Sequence, residues 1–147
     1  MHDNQLHDNS HDMQDEHQHL REILQVIETA LAQRQTRPPI LAAFFDDFRR
    51  HVLSHFEHEE SDGYFDEVIT VAPRLNGWVV ELRAQHDQFR VLLEAMCRVA
   101  QQGDDSSTWW GQLDSCFREF TIAFLAHEHA ENRLFQEAYG RDIGAED

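Results

Sequence analysis

Long apolar runs are missing from this chain, and the longest, such as residues 122–126, extend over only a few positions. A helix that spans a bilayer needs about 20 apolar residues, so we expect no transmembrane segment and no membrane partner. The N-terminus shows no basic region followed by an apolar stretch, so we expect no signal peptide. The sequence therefore predicts a cytoplasmic protein.

Cysteine and basic residues are also scarce. The two cysteines, Cys97 and Cys116, are too few for a disulfide framework or a four-thiolate metal site, and both lie in apolar helical patterns that favour packing roles. The 12 lysine and arginine residues face 28 aspartates and glutamates, which gives a formal net charge of −16. Because such a field repels phosphate groups and attracts cations, we expect no nucleic-acid partner.

Histidine, by contrast, is abundant, with 11 copies in 147 residues. It is the commonest metal ligand in proteins, so its arrangement along the chain is informative. Residues 1–12 carry His2, His7 and His11 among polar residues, and we interpret them as a disordered tail whose histidines are solvated or bind metal loosely. Residues 13–140 form the single predicted domain, and residues 141–147 form a C-terminal tail.

Four long segments of the domain repeat apolar residues at steps of three and four positions, which is typical of amphipathic helices. No alternation typical of strands competes with this pattern. The predicted fold is therefore all-α, an up-down-up-down antiparallel four-helix bundle, with a short and partly helical segment at residues 64–71. The expected helix ends are marked by the prolines at 38–39, residues 61–63, Pro73, Gly103, Ser106 or Ser107, and Gly140.

Two of the predicted helices carry a histidine followed four positions later by a glutamate: His55 with Glu59, and His127 with Glu131. Residues four apart lie on one face of a helix, about one turn from each other. Both side chains of a pair can then contact one metal ion, or the carboxylate can reach across to a second ion.

The other two helices contribute His17 and His86, each at the beginning of its apolar stripe. Nearly the same number of residues separates His17 from His55 and His86 from His127, so the chain looks like two copies of one helical hairpin. At a rise of about 1.5 Å per residue, all four imidazoles come to a similar level in the bundle. A single one is better explained as a surface histidine, but four core-facing imidazoles at one level favour a metal site, because buried imidazoles need partners.

This ordered set of four histidines and two glutamates resembles the hemerythrin-like, or HHE cation-binding, family over residues 13–140. The resemblance implies a four-helix bundle around a non-haem centre of two iron ions joined by an oxo or hydroxo bridge. Such ligands suit iron or manganese and also accept zinc. The expected ligands are His17, His55, Glu59, His86, His127 and Glu131, with the two glutamates bridging the ions.

The chain departs from oxygen-carrying members of that family at two positions. Arg90 stands where they have a second histidine on the third helix, and Asn132 stands where they commonly have an aspartate. Arginine cannot ligate a metal, so Arg90 is expected either to leave an open position beside a cation or to pair with a nearby acid. The ligand set is closer to that of the iron–sulfur-repair branch of the family.

The resemblance favours a protein that binds metal and a small gas, dioxygen or nitric oxide, over an enzyme. Two alternatives stay open. One is an iron-handling or iron–sulfur-cluster-repair-type protein, and the other is a di-iron reductase of nitric oxide or peroxide that would need an external electron donor.

The remaining acids and histidines near these positions carry weaker expectations. His51 shares the face of His55 and is expected either to support a ligand or to pack near the core. Glu60 is expected either to orient a ligand imidazole or to be solvated. His19, His58 and His129 fall off the ligand stripe and are expected to face solvent.

Overall fold

Helices account for almost all of the backbone in the computed structural model, which describes the backbone of residues 2–140 and the side chains of residues 12–140. A 3₁₀ turn, Pro73–Leu75, leads into the third long helix, and a turn of π-helix, Gln136–Gly140, follows the last one. No strand occurs within the described backbone. The α-helices are α1 His2–Gln33, α2 Pro38–Ser61, α3 Tyr64–Val71, α4 Asn76–Gln101 and α5 Ser107–Phe135.

The helix ends follow the local chemistry of the sequence. Pro38 occupies the first turn of α2, where its missing N–H is not needed. Gly63 separates α2 from α3 with a φ of 103°, a left-handed conformation that glycine adopts without strain. The hydroxyl of Ser106 accepts a hydrogen bond from the backbone N–H of Trp109 and so caps α5.

Helix α1 begins earlier than the sequence indicated. The apolar pattern places its start at Met13, whereas the backbone is helical from His2, so the interpretation of residues 1–12 as a disordered tail does not match the backbone. Extending an existing helix costs little because each added residue gains a hydrogen bond, so the helix can continue beyond its packed part. The predicted C-terminal tail, residues 141–147, lies outside the described residues.

The four long helices form the predicted antiparallel bundle. Helix α1 packs against α2 and α5, and α4 packs against the same two helices, so each hairpin lies beside the other. Helix α3 packs against α2 and α4 at the end opposite the α1–α2 and α4–α5 connections. Among the described helices, none combines the length and apolar character needed to cross a bilayer. The cytoplasmic location stays a prediction.

The apolar interior is divided into two clusters. The large apolar cluster fills the end near the α1–α2 and α4–α5 connections, and it includes Phe45, Phe48, Phe117 and Phe120 in edge-to-face pairs. The small apolar cluster fills the other end. Its buried members are Met13, Tyr64, Phe65, Val68, Leu75, Val79, Leu82, Leu134 and Phe135. Between the two clusters lies a layer of buried polar side chains.

Candidate metal centre

The buried polar layer contains all six residues that the sequence singled out as ligands. Each is at most 2% exposed, and every long helix contributes at least one of them. Side chains of this polarity are almost never buried so completely unless they are paired or bind an ion. The six are His17 from α1, His55 and Glu59 from α2, His86 from α4, and His127 and Glu131 from α5.

One half of the cluster is built from the first hairpin. The Nε2 atoms of His17 and His55 lie 3.0 Å apart. Glu131 Oε1 lies 3.4 Å from the His17 nitrogen, and Glu59 Oε1 lies 3.3 Å from the His55 nitrogen. With metal–nitrogen bonds of about 2.1 Å, two neighbouring ligands of one ion are about 3 Å apart, so this spacing fits a shared ion.

The other half repeats the arrangement with the second hairpin. The Nε2 atoms of His86 and His127 lie 3.2 Å apart. Glu59 Oε1 is 3.3 Å from the His86 nitrogen, and Glu131 Oε1 is 3.3 Å from the His127 nitrogen. In each half, four candidate ligand atoms lie within 4.8 Å of one another.

The two carboxylates belong to both halves. Glu59 Oε1 faces His55 and His86, and Glu131 Oε1 faces His17 and His127. All four oxygens of these carboxylates are buried and receive no hydrogen bond. Buried carboxylates without donors are costly, and a cation in each half would satisfy them. The residues present therefore fit bound metal cations, which Glu59 and Glu131 would help to hold.

The outer nitrogen of each imidazole also faces an oxygen. His17 Nδ1 lies 3.2 Å from Asn132 Oδ1, and His127 Nδ1 lies 2.6 Å from Gln85 Oε1. These oxygens only accept hydrogen bonds, so each Nδ1 carries the proton and each Nε2 presents its lone pair to the interior.

The remaining two imidazoles face carboxylates. His86 Nδ1 donates to Glu60 Oε2 over 3.1 Å, and His55 Nδ1 lies 3.5 Å from Glu16 Oε1. Outer oxygens of this kind fix the orientation of metal-binding imidazoles and make them stronger donors. In each half, then, one imidazole faces an amide oxygen and the other faces a carboxylate.

Negative charge dominates the half that contains His17 and His55. Burial alone would lower the pKa of His55, but the carboxylates of Glu131 and Glu16 outweigh it and raise this pKa to about 9. Burial likewise raises the pKa of the Glu131 carboxyl, and the imidazoles of His17 and His55 reverse that effect and lower it. This half therefore attracts a positive charge between its imidazoles and carboxylates.

Aromatic rings surround the half that contains His86 and His127. Phe56 stacks on His86 with ring centroids 3.8 Å apart, and Phe89 lies edge-on to His127 at 5.2 Å. Burial lowers the pKa of His86 to about 4 and that of His127 to about 3, with help from neighbouring imidazoles. Both imidazoles are thus held neutral, which is the form that binds a metal.

Arg90 follows one of its two expected behaviours, since it pairs with acids. Its guanidinium donates to Glu60 and to Asp87 and lies over the ring of Phe56, 5.7 Å from the centroid. It is therefore separated from the cluster by Glu60 and His86. Glu60 is not merely solvated, because its Oε2 accepts from both His86 and Arg90.

The other histidines lie outside the cluster. His51 is half-exposed and donates to the carbonyl of Asp47, so neither a role beside the cluster nor a place in the core fits it. His19, whose ring packs against His51, and His129 are exposed as expected. His58 is partly exposed but bridges Glu16 and Asp62. The side chains of His2, His7 and His11 lie outside the described residues.

The contacts that several neighbours make with the cluster escaped the sequence reasoning. Gln85, Glu16 and Asn132 reach histidines on other helices, so no spacing within one helix could identify them. Glu128 is buried beside His17, and burial raises the pKa of its carboxyl. A weak signal for Glu128 was available, since it lies three positions before Glu131 and therefore on nearly the same face of α5.

The helical bundle and its buried layer of histidine and glutamate define a protein of the metal-binding type. A comparison with protein families agrees with this class. Residues 8–139 match the Hemerythrin HHE cation binding domain, and the chain belongs to that family. No curated protein and no solved structure is similar enough to the chain to count as a match.

Proposed function

We propose that the buried cluster holds two iron ions, one in each half, and that this centre binds a small ligand such as dioxygen or nitric oxide. The observation that carries the proposal is the sharing of Glu59 and Glu131 between two sets of four candidate ligand atoms. Shared carboxylates hold two cations close together, and the four imidazoles divide evenly between them.

The choice of iron rests on the chemistry of the donor set. Two imidazoles with shared carboxylates suit iron and manganese and accept zinc, whereas a copper(I) site would use thiolate or thioether ligands. The cysteines lie away from the cluster, since Cys97 donates to the carbonyl of Phe45 in the large apolar cluster and Cys116 packs against the same cluster. Iron bound by two imidazoles and shared carboxylates has coordination positions left for an exogenous ligand.

Small-ligand binding is supported further by the burial of the site. All six candidate ligands are at most 2% exposed and lie between two packed apolar clusters. Diatomic molecules can enter such a site through small fluctuations of the packing, whereas substrates of ordinary size would need an open cleft. The burial also favours a centre that retains its metal.

Iron handling is the second candidate, and a specific observation favours it. Glu16 lies beside His55, and His58 links Glu16 to Asp62 at the surface. This chain of oxygen and nitrogen atoms leads from solvent to the more negative half of the cluster. A cation that approached along it would meet metal-binding groups at every step.

One experiment separates these functions. The apo protein is loaded with ferrous iron without oxygen, its iron content is measured, and it is then exposed to oxygen or nitric oxide while optical spectra are recorded. We expect two ions per chain and an adduct that forms and reverses. Irreversible oxidation with loss of iron would instead support iron handling, and turnover with an added electron donor would support a reductase.

The test variant is Glu59→Gln, which alters a shared carboxylate, and its matched control is Glu57→Gln, which alters an exposed acid on the same helix. Fewer than two ions in the wild-type protein after full loading would contradict a dinuclear centre. Equal losses in both variants would mean that general acidity, and not the cluster, binds the metal.

A further inference from the structure

Glu60 Oε2 accepts hydrogen bonds from a buried imidazole of the cluster and from a guanidinium group at the surface. His86 Nδ1 donates to this oxygen over 3.1 Å, and Arg90 donates to the same oxygen from the other side. His86 itself is fully buried, whereas Glu60 and Arg90 are partly exposed. The three side chains therefore connect the buried layer to the surface between α2 and α4.

Arg90 is held in place by more than Glu60. A second hydrogen bond runs from Arg90 to Asp87 over 2.7 Å, and the guanidinium lies over Phe56, the ring that stacks on His86. The carboxylate of Glu60 thus has a fixed cation on one side and a fixed imidazole on the other. A carboxylate shared in this way donates less electron density to the imidazole than one that accepts from the imidazole alone.

We propose that Glu60 and Arg90 are positioning residues for the metal centre: Glu60 orients His86 and holds the proton on its Nδ1, and Arg90 limits how strong a donor His86 becomes. The inference rests on the proposed function in taking His86 as a metal ligand. It assigns Arg90 an indirect role, because Arg90 would influence a bound metal only through Glu60 and His86.

The corresponding imidazole in the other half shows why Arg90 is specific. His55 also faces a carboxylate, Glu16, but the second partner of Glu16 is the imidazole of His58. Arginine stays protonated at every pH at which the protein is folded, so its restraint on Glu60 is permanent. The positive charge beside Glu60 is therefore the same at every pH at which the protein is folded.

The test uses variants that separate orientation from charge. Glu60→Ala removes the acceptor, Glu60→Gln keeps an oxygen without the charge, and Arg90→Leu leaves the carboxylate to His86 alone. Glu57→Ala is the matched control, because Glu57 lines the same surface cavity of about 430 Å³ as Glu60 and Arg90. Arg98→Leu is the control for charge, since Arg98 pairs with Glu94 further along α4.

Two measurements report on His86 without iron chemistry. The first is the NMR signal of its Nδ1–H in the apo and zinc-loaded protein, and the second is the zinc affinity of each site from competition with a coloured chelator. We expect Glu60→Ala to lose the Nδ1–H signal and to weaken one of the two sites by about 10–100-fold. Glu60→Gln should keep part of the Nδ1–H signal and part of the zinc affinity, because the amide oxygen still accepts a hydrogen bond.

Arg90→Leu should act in the opposite direction. Its Nδ1–H signal should move to lower field, zinc binding at one site should tighten, and the midpoint potential of the iron-loaded protein should fall, because a stronger donor favours ferric iron. The control variants should resemble the wild type. A merely structural role would lower the melting temperature without moving the signal or the potential.

The proposal is overturned if Glu60→Ala keeps the wild-type signal and zinc affinities, or if Arg90→Leu leaves the signal and the potential unchanged. Its failure is distinguishable from failure of the proposed function. A protein that binds neither iron nor zinc would contradict the di-iron centre, while the apo spectra would still decide whether Glu60 orients His86.

Discussion

The two halves of the cluster have the same ligands and different surroundings. Both present two imidazole Nε2 atoms about 3 Å apart to the same pair of carboxylates. Around His55, however, carboxylates raise the pKa to about 9, whereas around His127 apolar burial lowers the pKa to about 3. We refer to them as the acidic half, with His17 and His55, and the aromatic half, with His86 and His127.

Repeated helical hairpins need not give equivalent sites. The ligands come from matching positions in the two hairpins, and so do several neighbours, but the residue types of those neighbours differ. Glu16 and Gln85 each directly precede the first histidine of their hairpin, and Phe56 and Glu128 each directly follow the second. A carboxylate therefore faces one half from a position where an amide faces the other, and a carboxyl group lies beside one half where the matching position supplies an aromatic ring to the other. We therefore expect two ions bound with different affinities.

The largest effect should come from a residue that both halves share. Replacing Glu59 with glutamine keeps its volume but removes the charge that faces both His55 and His86. We expect metal content to fall from two ions per chain to one or none. Elemental analysis of Glu59→Gln beside Glu57→Gln checks this, and the control should retain two ions.

Removal of metal should lower the melting temperature, because metal binds only the folded arrangement. When free metal exceeds its dissociation constant about 100-fold, each ion adds about 2.7 kcal/mol, or roughly 5–10 °C for a chain of this size. His17→Ala and His127→Ala, one in each half, should each keep about half of the wild-type shift. A melting temperature that does not respond to chelation would contradict this prediction.

The pH dependence of apo stability should distinguish the halves. In the acidic half, the pKa of His55 rises from 6.5 to about 9, so its contribution to stability is present below pH 6.5 and is lost as pH rises toward 9. In the aromatic half, the pKa values of His86 and His127 fall to about 4 and 3, so the contribution is present above pH 6.5 and is lost as pH falls.

Melting temperatures of the chelated protein across this range measure both effects. His55→Gln should flatten the decline on the alkaline side, and His127→Gln should flatten part of the decline on the acidic side. If both variants kept the wild-type profile, the charges around the two halves would not differ as the structure indicates.

The smallest effect should come from the ring that stacks on His86. Phe56→Leu removes an aromatic contact of about 1 kcal/mol and should lower the melting temperature by a few degrees. It should also lower the metal affinity of the aromatic half severalfold. Phe48→Leu is the matched control, since Phe48 is equally buried on α2 but packs against Phe120 and Phe124. The control should lose stability and keep its metal affinity.

Much of the fold could be predicted because local rules and packing agree along this chain. Apolar steps of three and four residues indicated the four long helices, and Pro38, Gly63 and Ser106 lie at the ends that their chemistry favours. The family was also recognisable, since a histidine and a glutamate four positions apart share one helix face. The structure brings the six predicted ligands together, and their binding of metal stays a prediction.

The rest depended on contacts between helices, which spacing along one helix does not reveal. Asn132 and Gln85 receive hydrogen bonds from histidines more than forty positions away. His51 shares a face with His55 by spacing alone, yet it lies where α1 and α2 meet solvent, against His19. The start of α1 was placed too late because the apolar pattern marks where a helix packs, and a helix can extend beyond its packed part.

The polar layer between the apolar clusters should determine which parts of the protein unfold together. Each cluster packs on its own side of the layer, so the backbone around them should behave as two cooperative units. Two cations in the layer would tie all four long helices together at one level and couple the units. In the metal-loaded protein, amide hydrogens should then exchange with solvent as one block. In the apo protein, those around Val68 and Leu134 should exchange before those around Phe48 and Phe120, because the small cluster has fewer apolar partners to hold it closed.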